Sequence, residues 1–325
     1  MKTMIQFSLR SSVSLTLTLL LMQASPLRAA DAFTLDTARA AAEKGDPKAE
    51  FFLGKAYAKG EGVTQDEAKA VGYYRQATEQ GYAPAQNNLG VSYYRGLGVE
   101  QNYKEAIKWF RKAAEQGNAF AELSLGHIYS RGLGGSTNMP EAIQWFKQAA
   151  EQNQPDALMI LGDIYYFGDE GVKIDYKEAF KYYRKAADQG RWECLNSLGL
   201  LHQNGWGTDL NPDQAQKCYR EAIEKGDAKA MMNLGLMYLS GKGMQKDPVE
   251  AYKWLALSVR GGNLVANHYL DELTANVIVS PDQFTGKGEP RSALSPDQIK
   301  EAKRRIEEYE KSHNQTADKS EASLK

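Results

Sequence analysis

Cysteine and histidine are scarce in this chain, two and four among 325 residues. So few cysteines exclude the disulfide framework that staples small secreted domains. The histidines His127, His202, His268 and His313 lie far apart, none at ligand spacing from another or from a cysteine, so no metal site is expected. Catalytic signatures are missing too: G-x-S-x-G, H-E-x-x-H, a phosphate-binding Walker loop and S-x-x-K do not occur. No cofactor is expected. An excess of one charge is also absent, with 40 Lys and Arg against 41 Asp and Glu. Without Lys2, Arg10 and Arg28, residues 31–325 carry 37 basic against 41 acidic residues. Nucleic acid demands a basic footprint, so it is not an expected partner.

Long apolar runs are confined to the N-terminus. Lys2 and Arg10 precede or flank an apolar run from Val13 to Met22, and small residues follow at Ala29, Ala30 and Ala32. This order predicts a signal peptide over 1–30 with cleavage between 29 and 32. The run is too short to span a bilayer comfortably. Export to a periplasm or the exterior is expected, with no membrane insertion after cleavage. In such a compartment Cys194 and Cys218 are free to pair, but they fall on the two helices of one hairpin turning near Thr208. Cys194 then lies level with Ala222, and Cys218 is displaced by roughly 6 Å along the axis. A helix separation of about 8–10 Å adds to that and exceeds the reach of a disulfide. Two thiols acting as small hydrophobes are expected.

Glycine is what the chain has in quantity, 29 residues, and it is periodic. A Leu-Gly recurs with its glycine at Gly54, Gly90, Gly126, Gly162, Gly199 and Gly235, at intervals of 36, 36, 36, 37 and 36. Periods of this size mark stacked helical hairpins, each burying its apolar face on its neighbours. The cleanest unit begins at Ala85. Ala85, Leu89, Gly90 and Tyr93 share one face of a first helix, and Gly96-x-Gly98 supplies the left-handed residues a helix C-cap needs. A second helix from about Tyr103 carries Ala106, Trp109, Phe110 and Ala113 and closes at Gly117. Asn153 replaces the closing glycine once. The aromatics at these fixed positions are expected to be core.

The pattern A-x-x-x-L-G-x-x-Y-x-x-G-x-G-V, then K-E-A-x-x-W-F-x-K-A-A-x-x-G, resembles the Sel-one-like repeat (SLR), a relative of the tetratricopeptide repeat. The fold class expected is all-α: an α/α solenoid of six full helix-turn-helix repeats with partial terminal repeats and a C-terminal capping helix. The boundaries read as an N-terminal half repeat over 31–48, six repeats over 49–265, and a terminal half repeat, linker and capping helix over 266–312. Residues 313–325 read as a disordered tail. Ser295, Pro296 and Gln298 form an N-cap and capping box, and Ile299, Ala302 and Ile306 share the face that would cover the last repeat.

The resemblance to tetratricopeptide arrays implies a concave face built from first-helix side chains. At its positions stand Asn87, Tyr94 and Arg95 in one unit, His127 and Arg131 in the next, then Asp163 and Tyr166, and Asn196 and Asn204. Tyr94, Arg95, Arg131 and Tyr166 are the expected anchors, because Tyr and Arg dominate interface hot spots. The asparagines suit the backbone of a bound peptide. The implied function is that of an exported, non-catalytic adaptor for another protein or peptide. Alternatives from the same family are a toxin-neutralising (immunity) protein and a β-lactamase-like enzyme. The latter belongs to a branch that staples each hairpin with a cysteine pair, which this chain lacks.

Overall fold

The structure, a computed structural model, describes residues 33–169, 171–274 and 293–322, with side chains to His313. The expected signal peptide over 1–30 and most of the turn-rich linker after Thr274 lie outside the described residues. Within them the chain is all-α. Helices α1 (Leu35–Ala42), α2 (Pro47–Lys59), α3 (Glu67–Glu79), α4 (Ala83–Arg95), α5 (Tyr103–Ala114), α6 (Ala119–Arg131) and α7 (Met139–Glu151) precede α8 (Pro155–Phe167). After it come α9 (Tyr176–Asp188), α10 (Leu195–Asn204), α11 (Pro212–Glu224), α12 (Ala228–Ser240), α13 (Pro248–Arg260), α14 (Ala266–Thr274) and α15 (Pro296–Ala322). The chain divides into two compact units, residues 1–161 and 162–325, with the division along the sequence falling in α8.

Each hairpin starts and stops for local reasons. Short polar side chains cap the helix N-termini: Asn102 Oδ1 accepts from the backbone N–H of Lys104 and Glu105, at 3.0 and 3.1 Å. Such a cap contributes about 1 kcal/mol. First helices end on a left-handed glycine, Gly60, Gly96, Gly132, Gly205 or Gly241. At the end of α7 the left-handed residue is Asn153, the one non-glycine with positive φ among the described residues, as its place in the repeat predicts.

In the first unit the recurring glycine explains the packing. A Cβ on Gly90 would stand 2.8 Å from Cδ1 of Phe110, and one on Gly54 would stand 2.5 Å from Cε1 of Tyr74. The missing side chain is the seat of the second-helix ring. Phe110 and Phe146 are each 1% exposed, and burial of such a ring contributes about 1.5–3 kcal/mol. Successive hairpins are tied by Gln80 and Gln116, whose amides donate to the carbonyls of Gly45 and Gly81 at 2.7 and 3.0 Å. Arg75 and Arg111 donate to the hydroxyls of Tyr93 and Tyr129 in the next hairpin, at 2.9 and 2.6 Å.

These bonds correct the expectation that all the recurring aromatics are core. Tyr93, Tyr129, Trp109 and Trp145 are half-buried. A phenol hydroxyl needs a polar partner, which the arginines provide at the edge, and Lys112 Nζ lies 4.5 Å from the centre of the Trp109 ring.

The second unit repeats the glycine seat, with Tyr183 against Gly162 and Tyr219 against Gly199. Cys194 is buried, Cys218 is half-buried, and both are free thiols. Burial pushes both thiols up, Cys218 to about 11. At the C-terminal end α15 lies on α13. Ala302 and Ile306 are buried, Tyr309 meets Trp254 edge-on at 5.2 Å, and Arg305 binds Glu250 at 2.8 Å. The Ser295–Gln298 capping box forms as read. Met237 and Met231 pack in the cluster that Ile306 closes. The helix is longer than expected. Its backbone runs past Lys311 to Ala322, so much of 313–325, read as a disordered tail, is helical; residues 323–325 lie outside the described residues.

Candidate interaction surface

First-helix side chains that do not serve the hairpin core divide differently in the two units. In the first unit, Asn87 and His127 are only 7% and 5% exposed. The His127 ring lies edge-on to Phe146 at 5.4 Å. Burial, aided by the Arg131 charge, drives its pKa down to about 3, so the imidazole is neutral at physiological pH. As placed, neither side chain presents itself to a partner, because the close packing of the hairpins reaches further round the first helix than the tetratricopeptide resemblance implies. Asn87 Nδ2 donates to Asn88 Oδ1 at 3.3 Å, and its own Oδ1 is buried without a hydrogen bond. The surface of this unit is carried by helix ends. Tyr94 and Arg95 are half-buried in the last turn of α4, and Arg131 is exposed in the last turn of α6. The Tyr94 ring rests edge-on against Tyr103 at 5.6 Å.

In the second unit the equivalent positions are more open. Asp163, Tyr166, Asn196 and Asn204 are all half-buried. The Tyr183 hydroxyl donates to Asp163 Oδ1 at 2.6 Å. Burial pushes the Asp163 carboxyl up to about 6, although the Tyr183 bond and the Lys229 charge both pull it down. Asn233 donates to Asn196 Oδ1 at 2.8 Å, and Lys242 donates to Asn204 Oδ1 at 3.3 Å. The two asparagines therefore bridge neighbouring hairpins as well as facing outward. Beside them Gln203 Oε1 accepts from the Tyr219 hydroxyl at 2.6 Å.

Tyr166 anchors a group of rings. It lies edge-on to Phe167 at 4.8 Å and to Tyr176 at 5.5 Å, and tilted against Tyr183 at 6.1 Å and Trp206 at 6.5 Å. Tyr176 and Trp206 stack at 4.8 Å. The sequence stripe included Tyr166 but not Tyr176, Trp206, Ile174 and Leu210, which belong to the turns and the second helix. A readable trace of them existed. Where the first two repeats place Gln65 and Gln101, whose amides donate to the carbonyls of Ala58 and Tyr94 at 3.0 and 2.8 Å, the fourth and fifth place Ile174 and Leu210. No helix among the described residues is long and apolar enough to cross a membrane.

The Sel1 repeat family model matches six stretches: residues 47–82, 83–118, 119–154, 155–190, 192–227 and 228–263. Among solved structures, a protective antigen of uropathogenic Escherichia coli displaying an SLR fold is 32% identical. It aligns over 86% of this chain and 57% of its own length, with a TM-score of 0.68. This chain thus spans little more than half of that antigen. A Sel1 repeat protein from Oxalobacter formigenes is 36% identical over 70% of this chain and 88% of its own, with a TM-score of 0.55. An immunity protein of Pseudomonas aeruginosa is 20% identical over 67% of this chain and 83% of its own, at a TM-score of 0.37, too loose a superposition to bear on function. No curated protein matches the chain.

Proposed function

The chain belongs to the Sel1 repeat family, and from that premise we propose that it is an exported, non-catalytic adaptor. It holds another protein through first-helix ends and the turns beside them. The family's repeats form a protein-interaction fold. One observation carries the reading furthest: the recurring Ala, Leu and Gly positions and rings such as Phe110 and Phe146 are consumed by the core, while Tyr94, Arg95, Arg131 and Tyr166, at positions whose residue changes among the units, stay at least partly exposed. Tyr and Arg are the side chains that most often supply binding energy when a partner covers them. The basic and apolar N-terminal residues support export to a periplasm or beyond. The thiols support a non-catalytic role, since burial holds both in the unreactive protonated form.

Affinity capture from envelope extract tests this. One dominant protein is expected with the unaltered chain, and its recovery should fall at least about tenfold when Arg95 and Arg131 are both changed to Glu, the loss typical of hot-spot reversal. Equal recovery by the double variant would overturn the choice of face. Recovery of no dominant partner by the unaltered chain would overturn the adaptor reading itself.

A further inference from the structure

Large apolar side chains are exposed at seven positions among the described residues, and four stand in or next to two successive turns of the second unit, Phe167 as the last residue of α8. They are Phe167 at 43%, Ile174 at 53%, Trp206 at 39% and Leu210 at 60%. The hairpin does not need them. Ile174 and Leu210 lie beside Gly168 and Gly205, in the place where Gln65 and Gln101 close the turn with an amide hydrogen bond that an alkyl chain cannot make. Large apolar side chains kept in water at two successive turns mark an interaction site. Phe167 and Trp206 both meet the Tyr166 ring, and Trp206 stacks on Tyr176.

The charge around it has one dominant sign. Among the described residues the two turns and the helix starts after them carry Asp169, Asp175, Glu178, Asp209 and Asp213 against Lys173 and Lys177, with Lys229 also acting on Asp163. Within the ring group itself Asp163 is held by Tyr183, whose ring lies 6.1 Å from that of Tyr166. Ring faces attract cations through their quadrupoles, Trp most strongly. Carboxylates beside them add a charge-assisted partner.

The geometry points to a docking site for a basic, leucine-rich segment of a partner protein, with an Arg or Lys head over Trp206 and Tyr166 beside Asp163 and its apolar neighbours on Phe167, Ile174 and Leu210. This assignment rests on the adaptor reading and specifies the chemistry of what is held.

The test uses a fluorescein-labelled peptide containing Leu-Arg-Leu-Arg-Leu, the same peptide with citrulline for Arg, and the same with Glu, titrated into the full chain by anisotropy. The Arg peptide should bind at least about tenfold tighter than the citrulline and Glu peptides, the discrimination expected of a desolvated cation site. Trp206→Ala and Asp163→Asn should each weaken it by about tenfold. Trp192→Ala, which alters an exposed Trp outside the group, should leave it unchanged and shows that any loss is local. Equal affinity for the Arg and citrulline peptides, or an unchanged affinity in Trp206→Ala, would overturn the assignment. Were partner capture abolished by the Arg95 and Arg131 reversals but indifferent to Trp206→Ala, the adaptor reading would survive and this site would fall.

Discussion

Glycine at two helical positions separates two roles that a sequence alone does not distinguish. Gly90 is the seat of the Phe110 ring, so a methyl there must displace an aromatic that has nowhere to go. Gly90→Ala is expected to destabilise the chain by about 1–3 kcal/mol in urea denaturation. Gly72, inside α3, has nothing within 4 Å of where its Cβ would be. There, Gly72→Ala should stabilise by roughly 0.5–1 kcal/mol through helix propensity alone. Opposite signs are therefore expected from the same substitution. Asp163 gives a third residue-scale expectation. Its carboxyl ionises near 3.8 in an unfolded chain and at about 6 when folded. Between those values the folded state holds a proton that the unfolded state has released, so stability falls as pH rises through that window and stays low above it. Asp163→Asn should melt higher than the unaltered chain at pH 7.5, by at most about 3 kcal/mol, and the gain should vanish near pH 3. A gain independent of pH would show that the carboxyl is not strained by burial. Keeping a destabilised acid beside the Tyr166 ring group is the pattern expected where stability is given up for binding.

At the scale of helices and turns, much was legible. The Leu-Gly spacing located six first helices, the Gly-x-Gly pairs located their ends, and Asn153 was recognisable as the left-handed exception. Ser295 and Gln298 announced α15. What escaped was the depth of each side chain. Asn87 and His127 share a helical position with open residues in other repeats, yet neighbouring packing closes over them; a single-helix pattern contains no information about that. Trp206 and Leu210 escaped because turn residues were read for conformation, and their exposure depends on what the adjoining hairpin offers. Removal of α15 is the element-scale test of the capping role. Ending the chain before Ser295 removes Ile306 and Tyr309 from the cluster that holds Trp254 and Met237, now 4% and 0% exposed. A lower melting temperature and new binding of a hydrophobic dye are expected. The point variant Ile306→Ala should cost about 2–4 kcal/mol by cavity formation. An unchanged melting temperature in both would refute the lid.

For the molecule as a whole, stability built from hairpin-to-hairpin contacts behaves as a chain of neighbours. Damage should therefore fade with distance along the sequence. In Gly90→Ala, hydrogen exchange is expected to accelerate in α3 to α6 while α11 to α13 keep their protection. Uniform acceleration from end to end would mean a single cooperative block. The glutamine ties extend the same logic. Gln80 reaches back to the Gly45 carbonyl and Gln116 to that of Gly81, so these two hairpins fasten to their predecessors through the same backbone atom. Such a clasp fits any copy of its own mould. Duplicating residues 83–118, or excising them, would leave each remaining clasp with a counterpart, so the number of hairpins is something inheritance can vary by whole steps while the joinery stays the same.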